Sequence, residues 1–471
     1  MNREKLLIKN TIIYALGNFG SKLLSFILLP LYTYYLSTND YGYFDIITTT
    51  ITLCVPIISL QISDGIYRFL LDCRDDNEKS KIVTNSIIIL LVNIVIFSII
   101  YFIFIQFKDF RYEYMILIQI IVTIIYNIWS QIARGFKRNI EYSVSGVLMT
   151  FFTLISNIIL LKFFNLKVNA LILSYIISYI ICIIYLESKI KVLRYVYLKL
   201  INKKYVKQLS AYSVPLIPNA VSWWIMNVSD RYILSYYQGV SANGIYAIAN
   251  KLPSIIMVVN GFFSLAWQDS SIIEYKSSDR NKYYTKTFNY YMKSQFTILI
   301  ILLAFTKIIL KYLVDFKFYS AWVYVPFLYI ATLFSSFSVF YGTGYLSSRD
   351  TKGAFTTTVF SGIINLVVNI LTIPYIGIQG ASLSTMISCI LLWLIRVKQT
   401  KKYFNISINK LSFISLTGIT FIYTCLYYVR NKYIEVSLMV FSVIIFIFFN
   451  KDILFSIKRL LAKKLNCIKS K

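Results

Sequence analysis

The chain has 471 residues, of which 58% are hydrophobic, 17% are aromatic and only 14% are charged, against about 25% charged in an average soluble protein. That leaves too little polar surface for the three soluble domains such a length would otherwise suggest, and too many aromatic residues for a disordered chain, so a polytopic membrane protein remains. The formal charge of +28, from 48 Lys and Arg against 20 Asp and Glu, would point to nucleic acid in a soluble chain but here reads as basic cytoplasmic loops, with no nucleic-acid partner.

Fourteen stretches reach the roughly 20 mostly apolar residues that a membrane helix needs. In chain order they lie near 11–36, 43–70, 83–106, 114–133, 142–164, 168–187, 211–237, 244–268, 288–312, 320–347, 353–373, 377–397, 411–429 and 434–450. The first starts too near the terminus and runs too long for a cleaved signal peptide. Strong alternation is absent, which disfavours a β-barrel.

With the N-terminus in the cytoplasm, 34 basic residues fall inside and nine outside. The outer nine are Lys108, Arg111, Lys162, Lys167, Lys307, Lys311, Lys317, Arg430 and Lys432. This bias sets the orientation, and an even number of spans puts both termini inside. The remaining five of the 48, Lys22, Arg68, Arg231, Lys251 and Lys293, all fall within spans. Arg68 and Lys293 lie near cytoplasmic ends, where long side chains reach the headgroups. Lys22, Arg231 and Lys251 sit deeper, at a cost of roughly 2.5–3.5 kcal/mol each at a helix centre, so each is expected to face a water-filled cavity or a partner.

Some chemistries are missing. The chain has no His, which removes imidazole bases and His metal ligands. None of the six Cys forms a CxxC pair, so neither a zinc site nor a disulfide framework is indicated. No GxxxxGK[ST] loop occurs, which argues against an ATP-driven pump. No metal, cofactor or catalytic residue is expected.

The halves resemble each other. LSTNDYGYFDI at 36–46 matches GVSANGIYAI at 239–248, aligning Gly42 with Gly244 at an offset of 202. Pro56 with Asp64-Gly65 matches Pro253 with Asn260-Gly261. Asn157 matches Asn369 at offset 212, and Val168-Asn169-Ala170 matches Ile378-Gln379-Gly380 at offset 210. Six helices repeated from the same starting side give two parallel lobes related by an axis along the membrane normal, the plan of many transporters. The expected fold is therefore an all-α polytopic membrane protein of about 14 transmembrane helices. Its lobes are 1–187 and 211–400, joined by a basic cytoplasmic linker at 188–210. Two further helices and a basic cytoplasmic tail occupy 401–471.

The opening LLIKNTIIYALGNFGSKLLSFILLPLYTYYLSTNDYGYFDI and the second-lobe segment SVPLIPNAVSWWIMNVSDRYILSYYQGVSANGIYAIANKLP resemble the MOP flippase superfamily, and within it the Wzx-type polysaccharide flippases. ISDGIYRF at 62–69 and YGTGYLSSRDTKGAF at 341–355 fit too, so the resemblance covers about residues 5–400. It implies a multi-pass protein of the bacterial cytoplasmic membrane with a central cavity. The implied cargo is a polyprenyl-pyrophosphate-linked oligosaccharide, flipped to the outer leaflet for O-antigen, capsule or similar surface polysaccharide synthesis. Membrane lipids and polysaccharide-assembly enzymes are the other expected partners.

Sugars and pyrophosphate cost several kcal/mol per unpaired polar group in hydrocarbon, and fixed cations in a wet cavity reduce that cost. Lys22 and Lys251 match positions where related lipid-pyrophosphate flippases carry cavity cations, with Arg68 and Arg231 as further candidates. Asp64 and Arg68 are four apart on one helix face, so they are expected to pair, and the pair could break when a pyrophosphate or proton arrives. Asp230 and Arg231 are adjacent and cannot face each other, so at least one needs another partner. Trp223, Trp224 and Tyr246 are the candidates for stacking on sugars.

Three rival readings remain. A multidrug or cation antiporter of the same superfamily would want buried acids, of which Asp45, Asp64 and Asp230 are available. A membrane glycosyltransferase or polysaccharide polymerase would want a large outer loop, and the longest here is about eight residues. A scaffold that recruits assembly enzymes through its basic loops would leave the repeat and the buried charges unexplained.

Overall fold

The computed structural model describes residues 26–107, 111–348 and 350–469. Among these no residue lies in a strand, as expected for an all-α chain, and eleven helices are long and apolar enough to cross a membrane. The eleven coincide with all the predicted stretches except 11–36, 211–237 and 244–268. Of the first, only Phe26–Tyr35, here α1, is described. The other two are broken helices. The chain divides into two compact units, Met1–Gly244 and Ile245–Lys471.

Unit 1 continues with α2 (Thr38–Ile58), α3 (Ile62–Asp72), α4 (Asp76–Ile105), α5 (Glu113–Gly135), α6 (Asn139–Lys162) and α7 (Val168–Ile190). The basic linker contains two single 3₁₀ turns and then α8 (Lys203–Ser213). Unit 1 closes with α9 (Ile217–Val228), α10 (Asp230–Gln238) and the start of α11 (Val240–Lys251).

The stretch predicted as one span over 43–70 is two helices. Pro56 has no N–H to give, and Ser59 and Gln61 close the end of α2 by donating to the carbonyls of Val55 and Pro56. Leu60 and Gln61 then take left-handed φ values of 50° and 53°, and α3 starts in a new direction. The 21 residues of α2 already span about 31 Å, the thickness of the hydrocarbon layer. Pro215 and Pro218 likewise turn the chain through a 3₁₀ segment before α9. Pro253 occupies the first turn of the next helix, where its missing N–H costs nothing.

Unit 2 holds α12 (Pro253–Glu274), α13 (Arg280–Leu313), a 3₁₀ segment (Phe316–Tyr324), α14 (Val325–Ser348), α15 (Thr351–Ile376), α16 (Ile378–Thr400), α17 (Lys410–Tyr427) and α18 (Lys432–Lys469). Helices α17 and α18 both pack on α13. α18 continues well past residue 450, so the predicted basic tail is helical. The core of this unit is aromatic: the Trp267 and Phe340 rings stack at 4.2 Å, as do Phe263 and Tyr291.

The internal repeat is visible in bond geometry. Lys167 and Gly377, 210 residues apart, precede α7 and α16 with matching backbone angles, φ 47° and ψ −123° against φ 57° and ψ −133°. Asn157 and Asn369 are both fully buried. Each donates its amide to the residue four positions earlier, at 2.7 and 2.9 Å. Thr153 bonds Ser178 between α6 and α7 at 3.0 Å, and the equivalent Asn365 bonds Ser388 between α15 and α16 at 3.3 Å. Such interhelical bonds contribute roughly 0.6 kcal/mol each in membranes, so what they fix is register.

Candidate functional site

The site is built in unit 1 where α2 meets α9, α10 and the first turn of α11. Its local cause is the LSTNDYG stretch. Ser37 and Asp40 form a capping box that starts α2, a pairing that satisfies two otherwise orphaned N–H groups. Starting the helix there buries Tyr41 and Gly42 on one side and brings Asp45 round toward α10.

The glycines allow an approach no other residue would permit. A Cβ on Gly42 would fall on the carbonyl of Val240, and a Cβ on Gly244 would fall on the carbonyl of Thr38. Small residues let membrane helices come this close. Thr38 and Ser241 hydroxyls bond across the contact at 2.5 Å. Asn243, fully buried, donates to the carbonyl of Gly42 at 3.0 Å and to Asp45 Oδ2 at 3.3 Å.

Arg231 ties the charges together. Its Nε donates to Asp45 Oδ2 at 2.7 Å, and its Nη1 donates to the carbonyl of Asn227 at 3.1 Å and to Asp230 Oδ1 at 3.4 Å. The side chains of Arg231, Asp45 and Asp230 are 15%, 16% and 5% exposed. The adjacency argument is thus half right. Arg231 does have another partner, Asp45, but its long guanidinium also curls back to Asp230. Beside this, Trp224 donates its indole N–H to the carbonyl of Thr49 at 3.0 Å, and the Tyr232 hydroxyl meets Thr50.

The other expected site residues are scattered. Lys22 lies outside the described residues. Lys251 ends α11, half-buried, two residues before Pro253. Arg68 does not pair with Asp64. It meets Asp72 one turn later at 2.5 Å, with both side chains more than half exposed. Asp64 is exposed, and the cation whose charge acts on it is Arg134. One helix face offered Arg68 two acids, and it takes the second. Trp223 is exposed and Tyr246 is fully buried, while Trp224 lies with Tyr232 at 5.5 Å.

Two buried polar groups, Asn243 and Arg396, escaped the sequence reading. Asn243 aligns with no acid or amide in the other half, so nothing marked it. Arg396 was counted in a cytoplasmic loop, yet it lies within α16, 5% exposed. There it donates to the Ser338 carbonyl at 2.9 Å and to Thr357 and Thr358 hydroxyls at 3.3 and 3.2 Å. The buried Ser338, Thr357 and Thr358 on neighbouring helices were the available signal.

Comparison with known proteins places this geometry in a family. Residues 7–267, more than half of the chain, match the model of the polysaccharide biosynthesis protein family. A membrane protein of Methanocaldococcus jannaschii is 26% identical over 287 residues, covering 57% of this chain. The chain spans about half the length of that relative, 55% of it. Among solved structures, an inward closed lipid II flippase MurJ superposes with a TM-score of 0.71 at 15% identity, covering 94% of this chain and 100% of that one. An inward-facing multidrug resistance MATE family transporter of the MOP superfamily gives 0.65 at 13% identity, covering 86% and 95%. At these identities the likeness is one of fold. The chain belongs to the polysaccharide biosynthesis protein family.

Proposed function

We propose that the chain is a transporter that flips a polyprenyl-pyrophosphate-linked oligosaccharide from the inner to the outer leaflet by alternating access, without making or breaking its covalent bonds. The observation that carries this reading is the Arg231 bridge together with the reciprocal glycine contact. The first joins α2 to α10 and the second joins α2 to the segment that repeats it, at the end the charge bias places outside. A contact of that kind holds a path closed on one side and can be undone as a unit. Asp45 and Asp230, two of the acids a cation antiporter would need, are both engaged by Arg231, which favours an anionic cargo. In this reading Lys22 and Lys251 neutralise the pyrophosphate, a task suited to compact charges on flexible stems, with Arg68 as a further cation near the cytoplasmic end.

The test is translocation in sealed vesicles with a fluorescent lipid-linked oligosaccharide whose leaflet is read by a membrane-impermeant quencher. The expected result is movement with the glycan and pyrophosphate linkages intact. Lys251→Gln should slow it strongly, Lys251→Arg less. Release of sugar or phosphate by the purified protein, or wild-type rates in the Lys22→Gln, Lys251→Gln double variant at normal expression, would overturn the reading.

A further inference from the structure

We propose that unit 2 carries a built-in site for one anionic phospholipid, headgroup in a cationic chamber at the outer end of α13 and acyl chain in the groove between α17 and α18. The chamber has a volume of about 600 Å³ and is lined by Lys307, Lys317, Arg430, Glu435, Tyr319 and Trp322 among others. Three cations face one carboxylate.

The charges are arranged rather than scattered. Lys307 is only 8% exposed and is held by Glu435 Oε1 at 2.8 Å and the Val429 carbonyl at 3.4 Å. Its ammonium stands 4.6 Å from the centre of the Trp322 ring, and the Arg430 guanidinium stands 5.9 Å from the same ring. Glu435 holds Lys307, and Arg430 and Lys317 are both exposed at the chamber mouth. A phosphodiester is the anion that matches two such cations beside an aromatic wall.

The apolar half adjoins. Lys307, Glu435, Tyr423, Tyr427 and Leu438 border a small gap beside the chamber, and Tyr423 and Leu438 also line a groove of about 460 Å³ together with Ile422, Leu426, Ile434 and Ile445 among others. Ile434 to Ile445 runs about 16 Å along the helix, one leaflet's share of the roughly 30 Å hydrocarbon layer. A cationic chamber continued by an apolar groove of that depth has the dimensions of a phospholipid, not of a free anion.

The distribution of charge supports the same ligand. The outer face retains only nine basic residues, and five of them, Lys307, Lys311, Lys317, Arg430 and Lys432, fall in the two short stretches that flank this chamber. Membrane proteins concentrate Lys and Arg on the cytoplasmic side, so a basic corner outside is set against the general bias. Each cation near an anionic headgroup favours binding by about five-fold.

The test is native mass spectrometry of the full-length protein released from micelles containing phosphatidylglycerol or phosphatidylcholine, with polyprenyl monophosphate and inorganic phosphate as competitors. Phosphatidylglycerol should remain bound where phosphatidylcholine does not. Lys317→Gln and Arg430→Gln, both at exposed positions, should each lower its retention about five-fold. Ile422→Trp, which fills the groove, should lower it as well. Equal retention of the two phospholipids, or undiminished retention in the double Gln variant, would sink the proposal. Complete displacement by millimolar inorganic phosphate would instead show an ion site, and preferential retention of polyprenyl monophosphate would show a site for cargo lipid; either overturns the assignment.

Discussion

Gly42 and Gly244, 202 residues apart and equivalent in the internal repeat, lie against each other. The carbonyl one turn before each glycine fills the space of the other's missing side chain. The contact is thus symmetric to the residue: Thr38 stands to Gly244 as Val240 stands to Gly42. Two copies of one helix start dock on their shared glycine face. The charges beside it, Asp45 from α2 and Arg231 from α10, are what differ between the copies.

Adding one methyl at this contact should force the helices apart, because the obstacle is backbone and cannot rotate away. Overpacking typically costs about 1–3 kcal/mol. Gly42→Ala and Gly244→Ala should each raise the labelling of a cysteine at Ser241 by an impermeant thiol reagent applied outside. Unchanged labelling in both would show that this contact does not govern access.

Replacing Arg231 by Gln leaves two acids facing each other with their cation gone. Breaking a buried ion pair at one partner costs about 3–5 kcal/mol, tempered here by partial exposure. The Arg231→Gln variant should melt at a lower temperature than wild type, and Arg231→Gln with Asp45→Asn should recover part of the loss. Strictly additive effects in the double-mutant cycle would mean the two residues do not act together.

The α14–α15 loop carries a charge cluster with a definite pH dependence. The Tyr403 hydroxyl, the Gly353 N–H and the Lys402 ammonium all donate to Asp350, and together they hold its carboxyl well below the ordinary carboxylate range. A carboxyl depressed on folding contributes its stability in full above the unfolded value near 4. That contribution shrinks as pH falls below this and is lost as pH passes through the folded value. Asp350→Asn keeps the helix cap but loses the charge. Its melting temperature should trail wild type at pH 7, and the gap should narrow below about pH 4. A constant gap from pH 7 to pH 3 would show that the lost charge is not the cause.

Orientation can be read by labelling at exposed positions. Cysteines at Ser37 and Gln238 should react with impermeant reagents from outside the cell, and one at Lys204 should not. Reaction at Lys204 in intact cells would invert the topology.

The sequence by itself determined much of this protein. Apolar length marked the membrane helices, because hydrocarbon leaves a backbone no partner but itself, and eleven of the marked stretches contain a helix long and apolar enough to cross a membrane. Repeat matches such as Asn157 with Asn369 were legible because the same local hydrogen bonds require the same residue types in both copies. Pro56 was legible as part of the repeat, though not that the chain would break after it at Leu60 and Gln61, where two residues adopt left-handed angles. The partners of the charges were decided only by tertiary packing. Arg68 has acids four residues away on either side, and a helix wheel cannot say which of them it will pair with. Arg231 reaches Asp45 across 186 positions, and Lys307 reaches Glu435 across 128. Such pairings depend on how helices cross, which follows from glycine faces and side-chain volumes summed over the whole unit rather than from any local pattern.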